Sequence, residues 1–164
     1  MRVIKKSKTI LFRVDSSSTI GSGHLMRCKT LAMKLKEKGA NVIFISKNFE
    51  GNLINLIENE IKTFKINPNN GKKMISSNQS RISNIYSSYL ESTQEEDAFI
   101  TEQKIIKKIK EKIDWIIIDH YALNKKWSNF LKKSKSKYLK KVKIMFIDDL
   151  ANRELDADLI LNQN

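Results

Sequence analysis

The chain has one cysteine, one proline and five glycines in 164 residues. A lone Cys28 excludes an internal disulfide and any metal site built from several cysteines, and it suits a reducing compartment. Long apolar runs are missing as well. The opening MRVIKKSKTILFRVD is basic, but its apolar stretch is short, is broken by Arg13 and Asp15, and carries no small-residue cleavage pattern. The expectation is a cytoplasmic protein with no membrane partner.

Negative charge is scarce too: 31 Lys and Arg stand against 18 Asp and Glu, a formal net charge of +13. Such an excess raises nucleic acid as a partner, because clustered cations neutralise phosphates and release counterions. Most of the surplus lies in residues 104–112 and 125–143, where lysines recur between apolar positions such as Ile105, Ile109, Phe130 and Leu131. That is the pattern of solvated helix faces. Lysine outnumbers arginine, aromatic stacking platforms do not interleave the lysine runs, and zinc-finger and RNP-type motifs are missing. No nucleic-acid partner is expected, and a non-catalytic basic domain is kept only as a further alternative.

What is present is a globular composition, 40% apolar and 8% aromatic, long enough for one domain or one lobe of a larger protein. Strand and helix signals alternate. Strands are expected over 10–15, 41–46, 61–66, 115–119, 143–148 and 158–161. Helices are expected over 24–38, 52–60, 95–112 and 125–140, the first with Cys28, Leu31, Ala32 and Leu35 on one stripe and Gly39 as its stop. Residues 67–93, rich in Asn and Ser, read as a long loop. Apolar strands separated by helices indicate an α/β fold, a Rossmann-like, doubly wound parallel sheet covered on both faces.

In such sheets ligands bind beyond the carboxyl ends of the strands. There stand Asp15, Ser16, Ile20, Gly21, Ser22, Gly23 and His24 after the first strand, Asp119, His120 and Tyr121 after the fourth, and Asp148 and Asp149 after the fifth. Both histidines of the chain fall at strand-to-helix junctions of one edge. Gly21-Ser22-Gly23 has the backbone freedom to meet a phosphate at a helix start. It is no dinucleotide fingerprint, because Met26 takes the third glycine position and Ser46 and Lys47 end the second strand where an acid would hold a ribose. No Walker lysine follows either. In the first turn of a helix the dipole favours neutral imidazole, so His24 suits a general base, with a capping or carbonyl-binding role as the alternative. His120 reads as part of a hydrogen-bonded corner beneath the site, and Cys28 as core. Asp15 is the carboxylate expected to orient His24.

Asp15-Ser16-Ser17, then Ile20-Gly21-Ser22-Gly23-His24 with Arg27, resembles the opening motif of the bacterial UDP-2,4-diacetamido-2,4,6-trideoxy-β-L-altropyranose hydrolases of pseudaminic acid biosynthesis. Similar stretches follow in order: Glu96-Asp97-Ala98 with Thr101, Ile118-Asp119-His120-Tyr121 with Leu123 and Trp127, Ile147 to Arg153, and Asp158 to Asn164. Leu155 and Ala157 depart from the His and Cys usual in that family. The resemblance implies the N-terminal lobe of a two-lobed enzyme of the GT-B glycosyltransferase type. It implies hydrolysis of a UDP-sugar without metal or cofactor, with inversion, and His24 as the base that activates water. Asp15, Ser16, Ile20, Gly21, Ser22, Gly23, Arg27 and Tyr121 are then expected at the substrate, with Asp119, His120, Asp148 and Asp149 supporting. The partners implied are the UDP-sugar and a C-terminal lobe that supplies most nucleotide contacts. A glycosyltransferase of the same architecture, using His24 on an acceptor hydroxyl, is the alternative.

Overall fold

Six short runs rich in isoleucine, valine and phenylalanine, side chains that suit a pleated, buried surface, form one parallel sheet. In a computed structural model of the chain, which describes residues 7–68, 86 and 89–163, the strands are β1 (Thr9–Val14), β2 (Asn41–Lys47), β3 (Lys62–Ile66), β4 (Trp115–Asp119), β5 (Lys143–Ile147) and β6 (Leu159–Leu161). Their order is β3-β2-β1-β4-β5-β6, and every neighbouring pair is parallel. Among the described residues the α-helices with defined bounds are α1 (Gly23–Glu37), α2 (Gln94–Lys104) and α3 (Lys125–Lys132).

Successive strand residues face opposite sides, and both sides are packed. Leu11, Ile43, Ile45, Ile116, Ile118, Ile144 and Phe146 join Ala98 of α2 and Trp127 and Leu131 of α3 in one core. Ile10, Phe12, Val14, Phe44, Ile117 and Ile147 join Leu25, Cys28 and Ala32 of α1 in the other. Burial on both faces is why the strands read as continuous apolar runs rather than alternating ones. The architecture is therefore α/β and Rossmann-like. The chain winds outward from β1 through β2 to β3, then returns to β4 on the other side of β1, so the strand order reverses between β1 and β4. In this topology the carboxyl ends of those two strands open a crevice for a ligand.

Four expectations are corrected. Residues 52–60 hold only a 3-10 turn, Ile54–Leu56, too short a segment to sustain a helix. The helix expected over 95–112 passes into a π turn at Ile105–Ile109, with Lys110 N–H bonded to Ile105 O, and stops where Lys110 adopts a left-handed φ of 57°. The helix expected over 125–140 ends at Lys132. Beyond it Ser134 and Ser136 accept the backbone N–H groups of Ser136 and Tyr138, an alternative that serine side chains offer the backbone in competition with the helix. Finally, β6 is not covered: Leu159, Ile160 and Leu161 are 49%, 52% and 37% exposed. The β5–β6 connection is a loop pinned by Arg153 to Asp148 rather than a helix that would shield the strand. Of the long loop expected over 67–93, residues 69–85, 87 and 88 lie outside the described residues. Among the described residues no helix is long and apolar enough to cross a membrane.

Candidate functional site

The turn from β1 into α1 is fixed by its small polar residues. Ser17 Oγ accepts the N–H groups of Thr19 (3.2 Å) and Ile20 (3.0 Å), and Gly21 N–H donates to Ser17 O at 2.8 Å. Gly21 has a φ of 82°, a conformation that costs glycine little and other residues more. The helix then starts at Gly23, without a side-chain cap from Ser22, and His24 falls in its first turn beside the end of β4. There His24 Nδ1 lies 2.6 Å from Asp119 Oδ1.

Arg27, one turn further, grips the same carboxylate with Nε (2.5 Å to Oδ2) and Nη2 (2.6 Å to Oδ1), and its Nη1 donates to Asp149 Oδ2 at 3.1 Å. Tyr121 closes the ring: its hydroxyl donates to Asp149 Oδ1 at 2.7 Å, and its ring meets the His24 imidazole edge-on with centroids 4.5 Å apart. Ile20, His24, Tyr89, Asp119, His120 and Tyr121 line a small pocket at this point. Tyr86 packs on Tyr121 with centroids 5.0 Å apart.

The carboxylate decides the tautomer of His24. Asp119 is ionised: burial opposes its charge, but hydrogen bonds from Arg27 and His24 overcome that and hold it below the usual carboxylate range. In the neutral ring, a contact this short to an ionised carboxylate places the proton on Nδ1 and the lone pair on Nε2, with Arg27 Nη2 standing 3.1 Å from the same Nδ1. Tyr121 is held protonated, its pKa pushed up to about 12 by burial and by donation to Asp149. Asp149 is lowered by that same hydrogen bond first.

Asp15 does not orient His24; Asp119 does. Asp15 is fully buried and receives Arg13 Nη1 (2.5 Å), Arg13 Nη2 (2.9 Å) and the backbone N–H of Lys47 (2.6 Å). Ser16 is equally buried and accepts Leu53 N–H at 3.0 Å, so neither side chain has surface to offer a substrate. Each residue's other neighbours use its polar atoms, which is what a short polar run directly after a central strand encounters when two adjacent strands end beside it.

His120 lies behind the pocket, next to Asp15. It is buried, its Nδ1 accepts Ala122 N–H at 3.1 Å, and its Nε2 stands 3.2 Å from Asp15 Oδ2 outside good hydrogen-bond alignment. Asp148 and Asp149 part company. Asp148 turns to Arg153 (2.8 Å) and Ala151 N–H (3.2 Å), while Asp149 joins the ring around His24. Cys28 is core: its thiol is buried against Asp119 Oδ2 at 3.5 Å, and burial pushes its pKa up.

Sequence reasoning gave no role to Arg13, Lys47, Asp97 or Tyr89, although Asp97 lies in one of the resembling stretches. The first three are buried charges of one cluster. Arg13 Nε and Nη2 donate to Asp97 at 3.0 and 2.7 Å, Trp127 Nε1 donates to the same carboxylate at 2.9 Å, and Lys47 Nζ is 3.4 Å from it. The available signal was a charge inside an otherwise apolar strand, Arg13 in TILFRV and Lys47 closing NVIFISK. Unpaired charges are almost never buried, so each implied a partner. Tyr89 carried no signal of its own.

The fold and the site together define a Rossmann-like α/β protein with an Asp119–His24 pair at the switch point of its sheet. No protein-family model matches the chain, and no curated protein matches it. Among the described residues no group of three or more His, Cys, Asp or Glu side chains is placed to hold a metal ion.

Proposed function

We propose that this chain is the catalytic-base lobe of a hydrolase that cleaves a UDP-linked diacetamido-trideoxy sugar into free sugar and UDP. One observation carries the reading: His24 stands at the switch-point pocket with Nδ1 on the Asp119 carboxylate and Nε2 left as the proton acceptor. A base set this way takes a proton from water, while the carboxylate stabilises the imidazolium that forms. The water oxygen bonds the anomeric carbon, the bond from that carbon to the phosphate oxygen breaks, and UDP leaves with the electron pair. The proton rests on His24 until solvent removes it. UDP is a good leaving group, so one base suffices and the configuration inverts. Motif order along the chain adds the sugar nucleotide to what is otherwise a base at a cleft.

The test uses a protein carrying this lobe together with a nucleotide-binding lobe. His24→Gln and Asp119→Asn are expected to slow UDP release by about 10²- to 10⁴-fold, the usual worth of a positioned base and its orienting carboxylate, with nucleotide affinity unchanged. Turnover in ¹⁸O-labelled water is expected to place the label in the sugar. Unchanged release by His24→Gln, or transfer of the sugar to an alcohol acceptor with no label taken up, overturns the reading.

A further inference from the structure

The buried cluster on the far side of Asp15 has one member whose reach extends to the pocket. Arg13 is clasped by two carboxylates, Asp15 and Asp97, all three fully buried. One cation against two anions leaves an excess negative charge in a region from which water is excluded, and an uncompensated buried charge is costly. Lys47, whose side chain is 2% exposed, supplies the balancing cation 3.4 Å from Asp97. An ammonium has three protons to place. Besides Asp97, Lys47 Nζ donates to the backbone carbonyl of Leu90 and to Ser92 Oγ at 3.0 Å. Two of its three donors are therefore spent on the segment immediately following Tyr89, the residue that forms a wall of the His24 pocket. Leu90 itself is buried in the same core as the α2 and α3 side chains.

We infer that Lys47 is a positioning residue of the site: its ammonium, fixed by the charge balance of the Arg13–Asp15–Asp97 cluster, holds Leu90 and Ser92 and thereby sets Tyr89 as the wall that narrows access to His24. The inference uses from the proposed function only that the His24 pocket is the working site. It gives a second task to a charge that the balance of the buried cluster already requires. A methionine in place of Lys47 fills the space but removes the ammonium that ties the Leu90 carbonyl and Ser92 to the Asp97 cluster. Asp97 is left with Arg13 and Trp127, and the Leu90 carbonyl with Ser92 Oγ alone, so the segment behind Tyr89 loses its tie to the cluster.

The experiment needs no substrate. The rate at which diethyl pyrocarbonate carbethoxylates His24 is measured by mass spectrometry at fixed pH, well below each variant's melting temperature. The His24 side chain is 12% exposed, so its reactivity reports the wall directly. Lys47→Met, Ser92→Ala and Tyr89→Ala are each expected to raise the rate severalfold, and Lys47→Met combined with Tyr89→Ala is expected to react no faster than Tyr89→Ala alone. Ile57→Val, a core change on the α1 face, controls for lost stability and is expected to leave the rate unchanged. If Lys47→Met does not fold, Ser92→Ala and Tyr89→Ala still decide. An unchanged rate in Tyr89→Ala, or effects of Lys47 and Tyr89 that multiply in the double variant, overturns the inference. Neither result depends on whether the protein hydrolyses a sugar nucleotide.

Discussion

The two histidines sit at neighbouring junctions and meet opposite surroundings. His24 keeps a free ring nitrogen at the pocket, whereas His120 spends Nδ1 on Ala122 N–H and is sealed beneath the site. Burial lowers the pKa of His120 from its ordinary 6.5, and the nearby Asp15 carboxylate offsets that only in part. The sign of the consequence follows from proton counting. Below about pH 6.5 the unfolded chain takes up a proton that the folded chain resists. The stability contributed by the depressed pKa is therefore fully present above that value and is lost as pH falls through the window down to the folded pKa. The melting temperature of the native protein is expected to drop more steeply from pH 7 to pH 5 than that of His120→Gln, which has no such group. Equal slopes in the two proteins would show that His120 takes up no extra proton on unfolding. His120→Gln also removes an acceptor for Ala122 N–H, so its melting temperature is expected to be lower throughout.

At the scale of elements, α2 matters most for the buried cluster, because it carries Asp97. Its start is built from local sequence: Thr93 Oγ1 accepts Glu96 N–H at 3.1 Å, Glu96 Oε2 accepts Thr93 N–H at 2.9 Å, and Glu95, Glu96 and Asp97 complement the positive end of the helix dipole. Thr93→Ala is expected to lower the unfolding free energy by about 1 kcal/mol, read as a shifted urea midpoint with an unchanged denaturant slope; no shift would mean that Asp97, gripped by Arg13 and Trp127, fixes the helix start unaided. Signals of this local kind are what made the elements legible. Runs such as WIIID and KIMFI announce strands, and Gly39 announces the end of α1. Elements whose fate rests on competition were not legible: the serines that stop α3 at Lys132 look like ordinary helix-surface residues until their side chains are seen on the backbone. The site divides the same way. His24, Arg27, Asp119, Tyr121 and Asp149 follow strand ends or a helix start, so the parallel topology alone brings them to one edge. Which carboxylate meets His24 depended on strand order. Asp15 follows the same strand as the loop that carries His24, yet β4 lies beside β1 and delivers Asp119 instead, while Arg13 and Lys47 draw Asp15 into the interior.

For the molecule as a whole, the formal charge is +13, yet the described residues form no cationic binding site at the crevice. Among the described residues Arg27 is the arginine that contacts His24, and its donors are already committed to Asp119, Asp149 and Gln163. Arg153 gives Nε to Leu123 O and Nη1 to Asp148, its Nη2 being buried without a hydrogen-bond partner, and Lys47 is buried in the cluster behind the pocket. Among the described residues the crevice therefore presents acids neutralised by arginines, with Arg153 Nη2 the one guanidinium nitrogen there left without a hydrogen-bond partner. A diphosphate carries two to three negative charges and is bound by charge-assisted hydrogen bonds, preferably from bidentate guanidinium groups. What residues 20–24 can add is the N-terminal end of α1, whose exposed backbone donors and dipole contribute modestly. Residues 1–164 alone are accordingly expected to bind UDP with a Kd of about 1 mM, the affinity of roughly 4 kcal/mol that a few such contacts supply, and to release UDP from a UDP-sugar at no significant rate, because a base accelerates attack only on a carbon held within its reach. Isothermal titration with UDP checks the first expectation and a coupled assay for UDP release the second. Micromolar binding that survives Arg27→Lys but is abolished by salt would place spare cations at the crevice after all, and would overturn the proposed division of labour between a base-bearing lobe and a nucleotide-holding one.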